Sequence, residues 1–276
     1  MSIQETWEGE SGPSLARSLG LPSVEVHRTL GSTSDRAKAL AREGADHLTL
    51  VLANEQTAGR GRNGRSWCSP SGCGVWGSLV LRSRGPRVDG LLPIRVGLAL
   101  AAGLEERSAA EVGLKWPNDL FLLGKGASAK VGGILCEKVL AVTPSSPHGA
   151  AVVVGVGLNV LPIEVPGGEP SGALASAGLG DRMTVLGCVV DAVRSAAEAT
   201  GTLTAGELAA WQRRDILRDR PVQVKGPRDG GERGVARGID QEGRLLVETR
   251  YGLAGVVAGT VRALEGSAGL SPTGAR

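Results

Sequence analysis

Residues Gln56 to Trp67 read QTAGRGRNGRSW, in which three glycines (Gly59, Gly61, Gly64) alternate with three arginines (Arg60, Arg62, Arg65). Glycine lets backbone N–H groups come close to a ligand, and arginine offers a planar donor fork to carboxylate or phosphate. The combination predicts a loop that closes on an anion. A second cation, Lys130, opens KVGGILCE, where two glycines leave room beside a strand. A lone lysine at a strand edge is usually solvated; one set beside such bare backbone is suited to neutralising a bound anion.

Two other readings of the loop fit poorly. Gly59, Gly61 and Gly64 match GxGxxG, but a dinucleotide fold needs that loop to open a helix. Here it runs through Trp67-Cys68-Ser69-Pro70 into another apolar stretch, VWGSLVLR. Arginine–glycine segments that coat nucleic acid lie in polar tracts, whereas this one is flanked by VLA and VWGSLVL. Bulk charge agrees: 31 Lys+Arg against 28 Asp+Glu leave a net +3, too balanced for a polyanion-coating surface. The basic density is local, which predicts a site.

Metal and disulfide chemistry have little support. The four cysteines (Cys68, Cys73, Cys136, Cys188) form no CxxC pair and the three histidines are scattered. The polar start MSIQETWEGE is no signal peptide, and no apolar run reaches membrane-spanning length, so the expected compartment is the cytoplasm with no membrane partner.

The elements that must position these residues follow from periodicity. Residues 1–22 show none and predict an irregular arm. Ala37, Leu40 and Ala41 share a helical face over Asp35 to Gly44, with Ser32, Thr33 and Ser34 as capping residues. LTLVLA (48–53) predicts a buried strand entering the loop, and VWGSLVLR (75–82) the strand leaving it. Leu92, Val96, Ala99, Leu100 and Leu104 fit a long helix over 91–110. KVGGILCEKV and AVVVGVGLNV predict central strands, and a glycine-rich turn at LLGKGASA joins VGLKWPND to the first of them. Leu161 to Asp181 predicts an irregular Pro/Gly/Ser-rich connection, followed by helices over 184–200 and 205–217. Beyond Leu217 short strands recur at intervals of about ten residues, the pattern of a small β-barrel. The expected organisation is a catalytic domain over 23–217, a barrel over 218–265 and a disordered tail over 266–276.

In order, GSTSDRA, QTAGRGRNGRSW, KWPNDL, KVGGILCE and VGVGLNV, with a small terminal barrel, resemble the biotin–protein ligases. The resemblance runs from about Val24 to Leu264. It implies an α+β fold, a mixed sheet with helices related to class II aminoacyl-tRNA synthetases, followed by an SH3-like barrel. It also implies a reaction. Biotin carboxylate attacks the α-phosphate of MgATP, giving biotinoyl-5′-AMP and pyrophosphate. The ε-amino group of a lysine on a biotin carboxyl carrier domain then takes the acyl group and expels AMP. Two anions must meet, so the chemical problem is charge neutralisation and positioning.

By this resemblance Arg60 lies at the biotin carboxylate, Arg62 retains the acyl-adenylate, and Arg65 adds fixed charge. Lys130 sits beside carboxylate and α-phosphate. Ser32, Thr33 and Gln56 take the ureido ring, and Gly132, Gly133 and Leu135 line the slot. Ser34 stands where Ser-Thr-Asn is the more frequent pattern, and a capping role accounts for it equally well. Asn118 and Asp119 face the reaction centre; Asp119 either helps hold Mg²⁺ or orients the acceptor amine. Asn159 suits the phosphate–metal region, and Trp67 is either a cover for the adenylate or a core residue. Pro117 reads as part of a rigid turn. ATP, Mg²⁺ and biotin are the implied small molecules, with no metal held by a side-chain cluster. The composition of 56–67 predicts disorder without ligand. A chain with 31 residues before Ser32 predicts no operator binding, and the family includes monomers and dimers. The competing expectations are a lipoate or octanoate ligase, and a biotin sensor without turnover.

Overall fold

A computed structural model describes residues 5–82, 89–124, 128–140, 150–164, 171–225 and 232–264. The chain divides into two compact units, Met1–Thr202 and Leu203–Arg276. In the first, strands β1 (Thr6–Trp7) and β2 (Glu10–Ser11) form a small antiparallel pair before helix α1 (Gly12–Leu19). Then follow β3 (Val24–Leu30), α2 (Thr33–Glu43), β4 (Thr49–Gln56), β5 (Gly74–Arg82) and α3 (Leu92–Glu106). The unit continues through β6 (Val112–Lys115), β7 (Asp119–Leu123), β8 (Ser128–Val139), β9 (Ala151–Asn159) and α4 (Arg182–Glu198).

Seven strands make one mixed sheet in the order β3-β4-β5-β9-β8-β7-β6. Only β3 and β4 run parallel; the remaining neighbours are antiparallel. Helix α2 covers one face, setting Ala37 and Ala41 on Val51, Val80, Val139 and Val153. Helix α3 packs on β6, β7 and β8, and α4 on α3 and β5. The central strands are therefore clothed on two sides, which is why their sequences are apolar runs rather than alternating ones. Register places Ser78 opposite Val51 and Gly155, and Gly133 opposite Gly157. With side chains alternating in direction, Gly133, Leu135, Glu137, Gly155, Gly157 and Ser78 share the α2 face. This strip, beyond the N-terminus of α2, is the floor of the site.

The start of the chain differs from the irregular arm expected. Ser11 caps α1 by accepting from Ser14 N–H, Gly20 ends the helix in the left-handed conformation, and Trp7 is fully buried. The buried Arg182 explains the anchoring. Its guanidinium lies 4.4 Å from the Trp7 ring, pairs with Glu8 and donates to Gly74 O at 2.9 Å and Asn54 Oδ1 at 3.3 Å.

The second unit holds α5 (Ala205–Arg214), β10 (Pro221–Lys225), β11 (Glu232–Ile239), β12 (Leu245–Thr249), β13 (Gly252–Val256) and β14 (Thr260–Ala263). A capping box, Thr204 with Glu207, starts α5, whose Trp211 is buried. The break between units therefore falls before α5 rather than near Arg218. The five strands pair antiparallel in the order β13-β12-β11-β10-β14. Among the described residues the outer strands β13 and β14 share no ladder, so the sheet is open where a closed barrel was expected. The tail expected over 266–276 and part of the LLGKGASA turn lie outside the described residues.

Candidate active site

The glycine–arginine loop is built by short backbone ties. Ala58 N–H donates to Gly31 O at 2.8 Å, which fastens the loop to the segment before α2. Arg60 bridges Ser66, Gly61 N–H donates to Arg65 O at 2.7 Å, and Trp67 N–H donates to Gly59 O at 2.9 Å. The tip, Arg62–Gly64, is a single 3₁₀ turn in which Asn63 and Gly64 both adopt positive φ, 55° and 72°. Asn and Gly are the residues that tolerate this region. Gly59 is demanded by close approach, since a Cβ there would sit 2.4 Å from Trp67 O and 2.8 Å from Ser69 Oγ.

The three arginines have different surroundings. Arg60, about half exposed, donates to Asp35 Oδ1 at 2.7 Å and Glu137 Oε1 at 3.2 Å. Lys38 Nζ bridges the same two carboxylates at 2.8 Å and 3.0 Å. Burial alone would raise the Asp35 carboxyl pKa, but Lys38 and Arg60 outweigh it and hold the group below its ordinary range. Arg62 turns inward, and its Nη1 donates to Asn118 Oδ1 at 3.0 Å. Burial pulls the Arg62 pKa down, with the Asp119 charge opposing and that of Arg65 adding to the fall. Arg65 is exposed.

KWPNDL turns between β6 and β7, through a cis Trp116–Pro117 bond. Asn118 Nδ2 donates to Ile134 O at 2.8 Å, which aims its Oδ1 at Arg62. Asp119 Oδ1 takes Lys130 Nζ at 2.8 Å, and that ammonium lies 5.3 Å from the Trp67 ring centroid. Trp67 spans the glycine floor. A Cβ on Gly157 would fall 2.6 Å from its Nε1, and one on Gly133 would fall 3.6 Å from its ring. The indole N–H is buried without a hydrogen-bond partner. Lys130, Asp119, Trp67, Arg62 and Asn118 thus form one continuous cluster.

Buried polar side chains gather at the N-terminus of α2. Gln56 Oε1 accepts from Thr33 N–H at 2.8 Å and from Thr33 Oγ1 at 3.1 Å. Its Nε2 donates to Ser69 Oγ at 2.9 Å. Ser32, not Ser34, holds the N-cap position, yet its side chain makes no capping bond. Its Oγ is buried and has no partner. Ser34 instead bonds Ser78 Oγ at 3.1 Å. Leu135 shares the face with Gly133. Gly132 is on the other face of β8, where a Cβ would meet Leu158 at 2.4 Å, and is not brought together with Trp67. Asn159 is buried at the end of β9, donating to Gly172 O at 3.2 Å and leaving Oδ1 without a partner.

Sequence reasoning missed Ser78, Gly155, Gly157, Ser69 and Glu137. The spacing GVG within AVVVGVGLNV was the available signal, because glycines two apart on a central strand vacate one face.

Residues 26–159 match the Biotin/lipoate A/B protein ligase family. The biotin--[acetyl-CoA-carboxylase] ligase of Paracoccus denitrificans is 35% identical over 234 residues, 78% of this chain and 90% of that protein. The chain belongs to this ligase family. Within the family, the bifunctional ligase/repressor BirA of Bacillus subtilis is 39% identical over 135 residues, 49% of this chain. The match spans only 39% of that relative's length. Among solved structures, the biotin protein ligase from Aquifex aeolicus in complex with biotin and ATP superposes with a TM-score of 0.70 at 25% identity. That match covers 87% of this chain and 99% of that one.

No helix among the described residues is long and apolar enough to cross a membrane. They also contain no group of three or more His, Cys, Asp or Glu able to hold a metal ion.

Proposed function

We propose that this family member joins biotin to a lysine of a biotin carboxyl carrier domain, using ATP and passing through biotinoyl-5′-AMP. The observation that carries the reading is the pair of cations, Lys130 and the inward-turned Arg62, set against Asp119 and Asn118 beside the Trp67-covered glycine strip. An anion-joining reaction needs fixed positive charge at a half-dry site, where it acts more strongly than in water.

The first step forms a bond from a biotin carboxylate oxygen to the α-phosphorus and breaks the bond to pyrophosphate. Lys130 balances the charge gathering between the two reactants, and Asp119 holds its ammonium in place. Arg60 takes the carboxylate, while Arg62 and Arg65 hold the adenylate under the loop, covered by Trp67. The ureido ring sits against Ser32, Thr33 and Gln56, with Gly133, Leu135 and the backbone of Gly132 along the slot. The orphaned Ser32 Oγ fits this role, since a buried hydroxyl without a partner costs about 1–3 kcal/mol. In the second step the carrier amine attacks the acyl carbonyl, loses a proton and expels AMP.

Magnesium would enter on the phosphates. Asn159 Oδ1, buried and unpartnered, and the Asp119 carboxylate are the protein oxygens that suit it. Bound there it would lower the charge on the triphosphate. The five-stranded unit is read as an SH3-like barrel, the protein as cytoplasmic, and its assembly as a monomer or weak dimer.

Pyrophosphate release from ATP, measured with biotin, lipoate and octanoate in parallel, tests the reading. Turnover with biotin alone is expected. Turnover with lipoate or octanoate, or binding of biotin without release, would overturn it.

A further inference from the structure

The glycine–arginine loop stands on strand β8 at two places. At one, Trp67 rests over Gly133 and the neighbouring Gly157. At the other, Arg60 Nη1 donates to Asp35 Oδ1 of α2 at 2.7 Å and Nη2 to Glu137 Oε1 of β8 at 3.2 Å. Gly133 and Glu137 are four residues apart on one face of an extended strand, about 13 Å at roughly 3.3 Å per residue. Leu135 lies between them on that face, so the two footholds bracket it.

The second foothold is charge-balanced only when the loop is down. Lys38 Nζ meets the same two carboxylates, 2.8 Å from Asp35 Oδ1 and 3.0 Å from Glu137 Oε1. Without Arg60, this corner of α2 and β8 sets two negative charges against one positive, and the loop carries an uncancelled cation. Glu137 makes that imbalance costly. Its side chain is 22% exposed, and its second oxygen is buried without a partner. It pairs in register with Val153, and Val153 and Val139 both belong to the apolar cluster under α2. A carboxylate on such a margin is screened less by water, so it attracts a cation more strongly than one in open solvent.

We infer that Asp35 and Glu137 are positioning residues that latch the loop over the strip through Arg60 before any ligand arrives, with Lys38 limiting the strength of the latch. Lys38 competes with Arg60 for the same oxygens, which keeps the loop free to lift. The latch bonds use two of the five guanidinium N–H groups, and the others can meet a substrate carboxylate while Arg60 stays in place. The latch does not depend on the biotin reading, because no substrate takes part in it.

Arg60, Arg62 and Arg65 are trypsin sites that a closed loop withholds and a lifted loop presents. The test is limited trypsin digestion of the full-length chain without biotin or ATP. Mass spectrometry reads the rate of cleavage after these three arginines, relative to a free peptide of the same sequence. Glu137→Gln and Asp35→Asn are each expected to speed cleavage about threefold, and the two together about tenfold, the scale of part-exposed ion pairs. Melting temperatures should stay within about 2 °C of wild type. Lys38→Met should cut no faster than wild type, since Arg60 then holds both carboxylates alone. Salt at about 1 M should bring the wild type towards the double variant and leave the latter little changed. Unchanged cleavage in the double variant, Lys38→Met cutting as fast as Glu137→Gln, or cleavage rising only with lost thermal stability would overturn the latch. Failure to release pyrophosphate with biotin would overturn the ligase reading instead and leave these rates untouched.

Discussion

Lys130 Nζ stands 2.8 Å from Asp119 Oδ1 and 5.3 Å from the centre of the Trp67 ring. The carboxylate fixes where the ammonium can go, and the ring borders the space it faces. Lys130→Ala is therefore expected to slow biotin-dependent adenylation by about 10²–10³-fold, the usual cost of losing one preorganised charge contact to a transition state. The group is about a third exposed, so the melting temperature should move little. Comparable losses of rate and of thermal stability would identify a structural lysine instead.

Arg62 is the loop cation turned towards the interior, through its 3.0 Å bond to Asn118. Arg62→Gly should loosen the hold on the acyl-adenylate, which would then escape and acylate lysines indiscriminately. Mass spectrometry of a bystander protein incubated with the variant, biotin and ATP should find modified lysines at many positions. Labelling confined to the carrier domain would contradict a retaining role.

Gly157 leaves room for Trp67, as a Cβ there would come within 2.6 Å of the indole nitrogen. Gly157→Ala should displace the ring and raise KM for ATP and biotin at least tenfold, since a misplacement of about 1 Å can cost 10²-fold. Tryptophan fluorescence of the variant should differ from wild type before any ligand is added. Unchanged kinetics would mean that Trp67 is packing rather than cover.

Glu25 and Arg36 tie β3 to α2 through two bonds of 2.7 Å and 2.9 Å. The Arg36 hydrogen bond lowers the Glu25 pKa below its ordinary 4.5. A depressed carboxyl stabilises the fold fully above the unfolded value and loses that contribution as pH falls through the folded one. Glu25→Gln should thus cost about 0.5–1 kcal/mol at pH 7, discounted for partial exposure, and nothing well below pH 4. Urea denaturation at the two pH values measures this; a pH-independent difference would assign the effect to packing.

Much of this arrangement could be read from residue order, because its signals are local. The strand–loop–strand around Arg60 to Arg65, helix α2 with its Gly44 stop, and the turn at KWPND each carry their own punctuation. What escaped depends on distant partners. Trp7 and Glu8 look like part of a polar arm until Arg182, 174 residues beyond Glu8, is brought against them. Ser78 reads as a polar lapse in an apolar strand, and only register sets it beside Thr33 and Ser34. Gly132 and Gly133 are adjacent in sequence and read as one lining, but alternation along β8 sends them to opposite faces. Helix α5 shows the same amphipathic pattern whether it joins the larger or the smaller unit, so periodicity alone could not locate the boundary before Leu203.

In the proposed reaction fixed cations bring two negative reactants into bonding distance, and a single-turnover experiment addresses that directly. With ATP labelled at the α-phosphate, wild-type protein should form close to one equivalent of labelled biotinoyl-adenylate per chain, only when biotin is present. The Lys130→Met and Arg60→Met variants, which keep bulk and lose charge, should form it at least a hundredfold more slowly. Absence of labelled adduct from the wild type, or equal rates in the uncharged variants, would contradict the account.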